Sequence, residues 1–141
     1  MSKLIDELKN EHKWIQHLLG QVKSLGITSP AGIEKLLLSK KALLAHLNKE
    51  DEKLYPILRD AGKTNQDINL MLKMFADDMK NITDQVISFY GKYENGVVNK
   101  LDFATDFGVI VSILSDRIWR EETILYPKFE SLFEYQMLEK R

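Results

Sequence analysis

The sequence holds no cysteine, only three prolines and only three histidines among its 141 residues. Without cysteine there is neither a disulfide framework nor a thiolate metal site, so a bound metal must be held by nitrogen and oxygen. So few prolines leave room for long uninterrupted helices. No segment approaches the ~20 consecutive apolar residues of a membrane span. The opening "MSKLIDELKNEH" is charged where a secretory signal would be apolar. Neither sign of charge dominates: Lys plus Arg number 20 and Asp plus Glu 21, a net charge of −1. The concentrated basic patch of a nucleic-acid or anionic-membrane binder is missing. These absences lead us to expect one cytoplasmic domain over residues 1–141, with no nucleic-acid and no membrane partner.

What is present is helical periodicity. Ile5, Leu8, His12, Ile15, Leu19 and Val22 recur at spacings of three and four, the seam of a bundle helix, and Gly26 marks its stop. Ser29 before Pro30 reads as an N-cap with proline in the first helical turn. The second helix carries Leu36, Leu43, Leu47, Glu50 and Leu54 inward with His46 beside them, and Pro56 ends or kinks it. "AGKTNQD" (Ala61–Asp67) is a turn, with Thr64 or Asn65 as the next cap. A third stripe runs from Ile68 through Phe75, Met79, Ile82 and Val86 to Phe89, and "YENG" (Tyr93–Gly96) closes it. Asp102 is the expected cap of the fourth helix, whose stripe passes Phe103, Phe107, Ile110, Leu114, Arg117, Glu121 and Leu125. After Pro127, "KFESLFEYQMLEK" reads as a short terminal helix. No β-alternation competes. The expected fold is all-α: an up-down-up-down antiparallel four-helix bundle with a short C-terminal helix.

Polar residues break these stripes at matching depths. At 1.5 Å per residue, His12, His46 and Arg117 each lie about 20 Å from the same end of an antiparallel bundle, and on the third helix that level falls near Asp78. Asp77 is its competitor, about 100° further round the helix. A buried polar layer is costly unless its members pair or bind something. Tyr55 and Tyr126 are expected at helix ends with their hydroxyls near water. Trp14 and Trp119 are read as packing at the flanks, and Met71, Met74 and Met79 as core filler.

Two stretches nearly spell one word: "HLNKEDEKLYP" (His46–Pro56) and "RIWREETILYP" (Arg117–Pro127) share a Glu at the fifth place and end in Leu-Tyr-Pro. His46 and Glu50, four apart, share a helix face. With "LKNEHKWI" around His12, these words resemble the hemerythrin-like, or HHE cation-binding, family. The resemblance implies a four-helix bundle around a non-haem iron pair bridged by two carboxylates. It also implies roles in oxygen storage, in oxygen or iron sensing, or in nitric-oxide and iron–sulfur stress. On that resemblance His12 matches the first-helix ligand, His46 and Glu50 the second-helix ligands, and Glu121 the fourth-helix carboxylate. The chain departs from the pattern twice: the fourth-helix His is Arg117, and the third helix has no His.

Two irons would need about five imidazoles, and the chain has three His in all, with His17 about 140° from His12 on the helix wheel. The expectation is therefore an incomplete site: one divalent ion, Fe with Mn or Zn as alternatives, on His12, His46, Glu50 and Glu121. Arg117 occupies the second metal's place and Asp78 supports it. The alternative reading has no metal, an Arg–carboxylate network in its place, and a role as an interaction or regulatory module. No nucleophile stands beside a base and no glycine-rich phosphate loop is present, so sensing or iron and oxygen-stress handling is expected rather than oxygen transport or catalysis. A protein partner is left open.

Overall fold

The structure, a computed structural model, describes residues 2–96 and 99–139, with side chains as far as residue 132. Among the described residues six α-helices form four antiparallel rods. The first rod is α1 (Lys3–Leu25). The second joins α2 (Pro30–Lys49) to α3 (Tyr55–Gly62) through a five-residue π-helical segment, Glu50–Leu54. The third is α4 (Gln66–Tyr93). The fourth joins α5 (Lys100–Arg120) to α6 (Tyr126–Glu139) through a second π-helical segment, Glu121–Leu125. This is the expected bundle; Lys140, the last residue of the expected terminal helix, lies outside the described residues.

Local chemistry sets the boundaries. Gly26 ends α1 at φ 69°, in the region that costs other residues strain. Ser29 Oγ accepts from the Gly32 amide, capping α2 as expected. Of the two candidates at the next start, Asn65 is the cap, accepting from Ile68 N at 3.2 Å. The fourth rod starts earlier than expected: Asn99, not Asp102, is its cap, its Oδ1 accepting from the amides of Leu101 and Asp102. Asp102 then sits in the first turn, where its charge still complements the helix dipole.

Pro56 and Pro127 kink their rods without ending them. A proline inside an α-helix has no N–H to give and its ring meets the carbonyl four residues back. Here the turn before each proline widens by one residue: Tyr55 N donates to Glu50 O, and Tyr126 N to Glu121 O, five residues back. The repeated word is thus a π-segment, and its fifth letter is the residue that opens it.

The core falls into two apolar bodies. One is centred on Ile15, Leu36, Ile82, Phe89 and Phe107. The other is centred on Leu8, Leu58, Ile68, Phe75 and Leu125. Between them lie the buried polar residues His12, His46, Glu50, Arg117 and Glu121. Two flank residues depart from expectation: Trp14 and Trp119 are 51% and 61% exposed. Met74 is exposed as well, while Met71 and Met79 do back the core. Among the described residues no helix is long and apolar enough to cross a membrane.

Candidate metal centre

Four of the rods' inner positions converge between the two apolar bodies. His12 comes from α1, His46 from the last turn of α2, and Glu50 and Glu121 open the two π-segments. All four are at most 3% exposed. His12 Nε2 lies 3.0 Å from His46 Nε2 and 3.0 Å from Glu121 Oε1. His46 Nε2 lies 3.4 Å from Glu50 Oε1 and 3.8 Å from Glu121 Oε1.

The outer nitrogens decide what the inner ones can do. His12 Nδ1 donates to Glu122 Oε2 and His46 Nδ1 to Glu11 Oε1, each at 2.8 Å. A carboxylate only accepts, so each ring carries its proton on Nδ1. The Nε2 atoms therefore face one another and two carboxylate oxygens, Glu121 Oε1 and Glu50 Oε1. Four electron-rich atoms cannot share that space without a positive centre among them: a proton or a metal ion. Lys49 holds Glu11 from outside at 2.7 Å and also pairs with Glu7.

Glu121 uses its other oxygen elsewhere. Its Oε2 is 3.5 Å from Arg117 Nε, too poorly aligned for a hydrogen bond. Arg117 Nη2 donates to Tyr55 Oη at 2.8 Å, and Nη1 to Phe75 O and Asp78 Oδ2, both at 3.3 Å. Its guanidinium lies over the Phe75 ring, 4.6 Å from the centroid. Of the two aspartates, Asp77 is exposed and Asp78 reaches the site. Asp78 is not inside the buried layer, however. Its side chain is 30% exposed and is shared between Arg117 and Arg120. The reason is its place on the rim of α4, where the long guanidinium reaches out to it.

The tyrosines of the two words are buried, not near water. Tyr126 Oη donates to Glu50 Oε2 at 2.9 Å and lies 3.1 Å from His12 Nε2. Tyr55 accepts from Arg117. The widened π-turn rotates each tyrosine one position inward, which an unbroken 3.6-residue count does not anticipate. Glu11 and Glu122 were likewise missed as partners, although each adjoins a candidate ligand in the sequence.

Charge is distributed unevenly. Burial pushes Glu50 well above the ordinary carboxylate range, helped by the neighbouring Glu121 charge. Burial opposes ionisation of Glu121 too, but bonds to His12, His46 and Glu50 and the Arg117 charge outweigh it and hold Glu121 far below that range. Burial also works against a charged His12, yet its bonds to Glu121 and Glu122 win and raise it above 6.5. Burial and the same carboxylates keep the Tyr126 phenol protonated.

Whether this donor set suits one ion follows from its spacings. Ligands about 2.1 Å from a common centre stand about 3.0 Å apart at a right angle and about 3.4 Å apart at the tetrahedral angle. The separations of 3.0 to 3.8 Å bracket those values. Glu50 Oε1 has no hydrogen-bond partner among the described residues, although it is fully buried. Imidazole nitrogen with carboxylate oxygen suits Fe(II), Mn(II) or Zn(II). His12, His46 and Glu121 each bring one donor atom within 4.8 Å of the others and fit a single cation, with Glu50 Oε1 beside that group at 3.4 Å from His46 Nε2.

A cavity of about 20 Å³, walled by Ile15, Leu43, Met79, Ile82 and Leu114, adjoins the cluster and is about large enough for one water. A much larger cavity, about 710 Å³, lies instead between α1 and α5, against Leu19, Phe103 and Phe107. No curated protein and no solved structure matches the chain. The family model described as the hemerythrin HHE cation-binding domain does match, over residues 3–129, so that it takes in all four rods and every residue of the cluster. The chain belongs to the hemerythrin HHE cation-binding domain family.

Proposed function

We propose that this protein binds one divalent metal ion of the iron type through His12, His46, Glu50 and Glu121, with Arg117 filling the place of a second metal. The observation that carries the reading is the pair of imidazole Nε2 atoms 3.0 Å apart, both turned inward because Glu122 and Glu11 hold their Nδ1 protons. A metal bound there would supply a Lewis-acidic, redox-capable centre. The chain's own groups do the rest. Glu11 and Glu122 fix the tautomers and raise the donor strength of the rings. Tyr126 orients Glu50. Arg117 holds Glu121 by charge and carries a fixed +1 where the family places its other iron.

With one metal position the protein is suited to sensing, or to iron and oxygen-stress handling, rather than to oxygen transport. Turnover of an organic substrate is not part of this reading, because the space beside the cluster is no larger than a water. Elemental analysis after dialysis is the test. Wild type should carry about one metal per chain and His46→Ala much less. Equal, near-zero metal in both samples would leave the metal-free reading standing. Arg117, bonded to Tyr55, Phe75 O and Asp78 within the protein, is the feature that would support it.

A further inference from the structure

α2 is apolar on both sides. Its inner stripe, Leu36, Ser39, Leu43 and His46, is buried in the bundle. On the opposite side Leu37, Leu38 and Leu44 are 43%, 38% and 38% exposed, and Ala31 and Ala45 are exposed with them. A helix with apolar residues on both sides is ordinarily covered on both. Trp14 of α1, half-exposed, stands beside Leu38 and Ala45 and borders a depression with them. The outer face therefore extends beyond one helix.

Two charges lie on the midline of this face. At about 100° per residue, Lys41 points about 180° from the mean direction of the inner stripe, and Glu34 lies within about 20° of Lys41. Neighbouring Lys40 is tied to Glu94 at 2.9 Å. Among the described residues Glu34 and Lys41 have no ion-pair partner.

We propose that this face binds a second copy of the chain, with the two α2 helices antiparallel about a twofold axis between Leu37 and Leu38. In an isologous contact one patch must complement itself, and this arrangement does so at each level. Leu37 and Leu38 each meet their own copy across the axis. Glu34 comes level with the partner's Lys41, and Lys41 with the partner's Glu34. Leu44 faces the partner's Pro30, and Ala45 faces the partner's Ala31. The depression beside Trp14 then takes the first turn of the partner's α2. That addition helps the contact pass the roughly 1,000 Å² expected of a specific interface. Shifting the helices by one turn would set Lys41 against leucine and leave both charges unpaired, so the charges fix the register. Neither Lys35 nor a second Lys40 is brought into opposition, because both lie about 100° or more from the midline.

Sedimentation equilibrium across a concentration series tests the proposal, with full-length protein and circular dichroism as a check on folding. Wild type should sediment at twice the chain mass. Glu34→Lys and Lys41→Glu each turn two attractive pairs into two repulsive ones and should weaken the dimer about tenfold or more. The double variant restores both pairs with their signs exchanged and should return to within about threefold of wild type. Leu38→Asp should yield monomer with unchanged helicity. A wild type that stays monomeric at 100 μM overturns the proposal. So does a dimer indifferent to the single reversals, or a double variant no tighter than either single one.

Discussion

Glu121 divides its oxygens, Oε1 toward the imidazole pair and Oε2 toward Arg117. One of those sides is a guanidinium whose charge cannot leave. The side chains beyond the cluster then determine how strongly the other side binds. Glu122 and Glu11 are only about one-third exposed and each holds an Nδ1 proton. Changing either to Gln should therefore weaken metal binding about 10- to 100-fold, as loss of such partners does elsewhere. Competition with a chelating dye would measure it. Protons compete for the same atoms. His12 in the metal-free fold has a raised pKa, so its contribution to stability is complete below about 6.5 and is lost as pH rises through the folded value. Glu50, held protonated by burial, acts in the same direction from 4.5 upward, because the folded state retains a proton that the unfolded chain gives up. Glu121, held low, acts oppositely: its contribution is complete above about 4.5 and is lost progressively as pH falls below that. Metal-free protein should thus be most stable between about pH 4.5 and 6.5 and weaken toward pH 9, while metal binding tightens over the same rise. Urea midpoints in chelator at pH 6 and pH 9 would check the first half. Equal midpoints would contradict it.

The elements differ in how plainly the sequence announced them. The seams of α1, α4 and α5 were legible because buried positions recur at spacings of three and four, and the level of the polar layer followed from counting inward from the helix ends. The π-segments were not legible. Periodicity assumes a constant 3.6 residues per turn, and one extra residue before Pro56 and Pro127 breaks that count just where the tyrosines enter the site. For the same reason Tyr126 was placed near water although it donates to Glu50. Asp78 is expected in the layer and stands at its rim, since a helix wheel carries no information about how far an arginine will reach. One tight element was equally invisible: a Cβ on Gly32, in the first turn of α2, would overlap the backbone carbonyl of Gly26. Gly32→Ala must therefore pry the α1–α2 turn away from the helix whose start it packs against. A loss of about 2 kcal/mol or more is expected in chemical denaturation, with the secondary structure retained. Gly20→Ala, whose Cβ would meet nothing within 4 Å, is the matched control.

At the scale of the whole molecule, a polar layer divides what would otherwise be one continuous core. Two buried carboxylates and one buried guanidinium leave a net −1 at that level, before any proton or metal is counted. Such a layer costs desolvation, and removing one partner from it is more damaging than replacing the set. A divalent ion would offset that cost by tying the first, second and fourth rods together near mid-length, since its ligands come from all three. Because an ion that binds only the folded state stabilises it by mass action, free metal at 100 times its dissociation constant should add about 2.7 kcal/mol. For a chain of this length that is a rise of about 5–10 °C in melting temperature. Thermal melts of metal-loaded protein with and without excess chelator should differ by that amount, and the difference should vanish in His46→Ala. Arg117→Met separates the metal's contribution from that of the fixed charge. It leaves Tyr55 and Glu121 without the guanidinium, while Asp78 keeps Arg120, and should lower the melting temperature in both conditions, yet keep the gap between them. If the gap closes instead, the ion depends on the guanidinium for its place, and the two cationic positions form one unit rather than two.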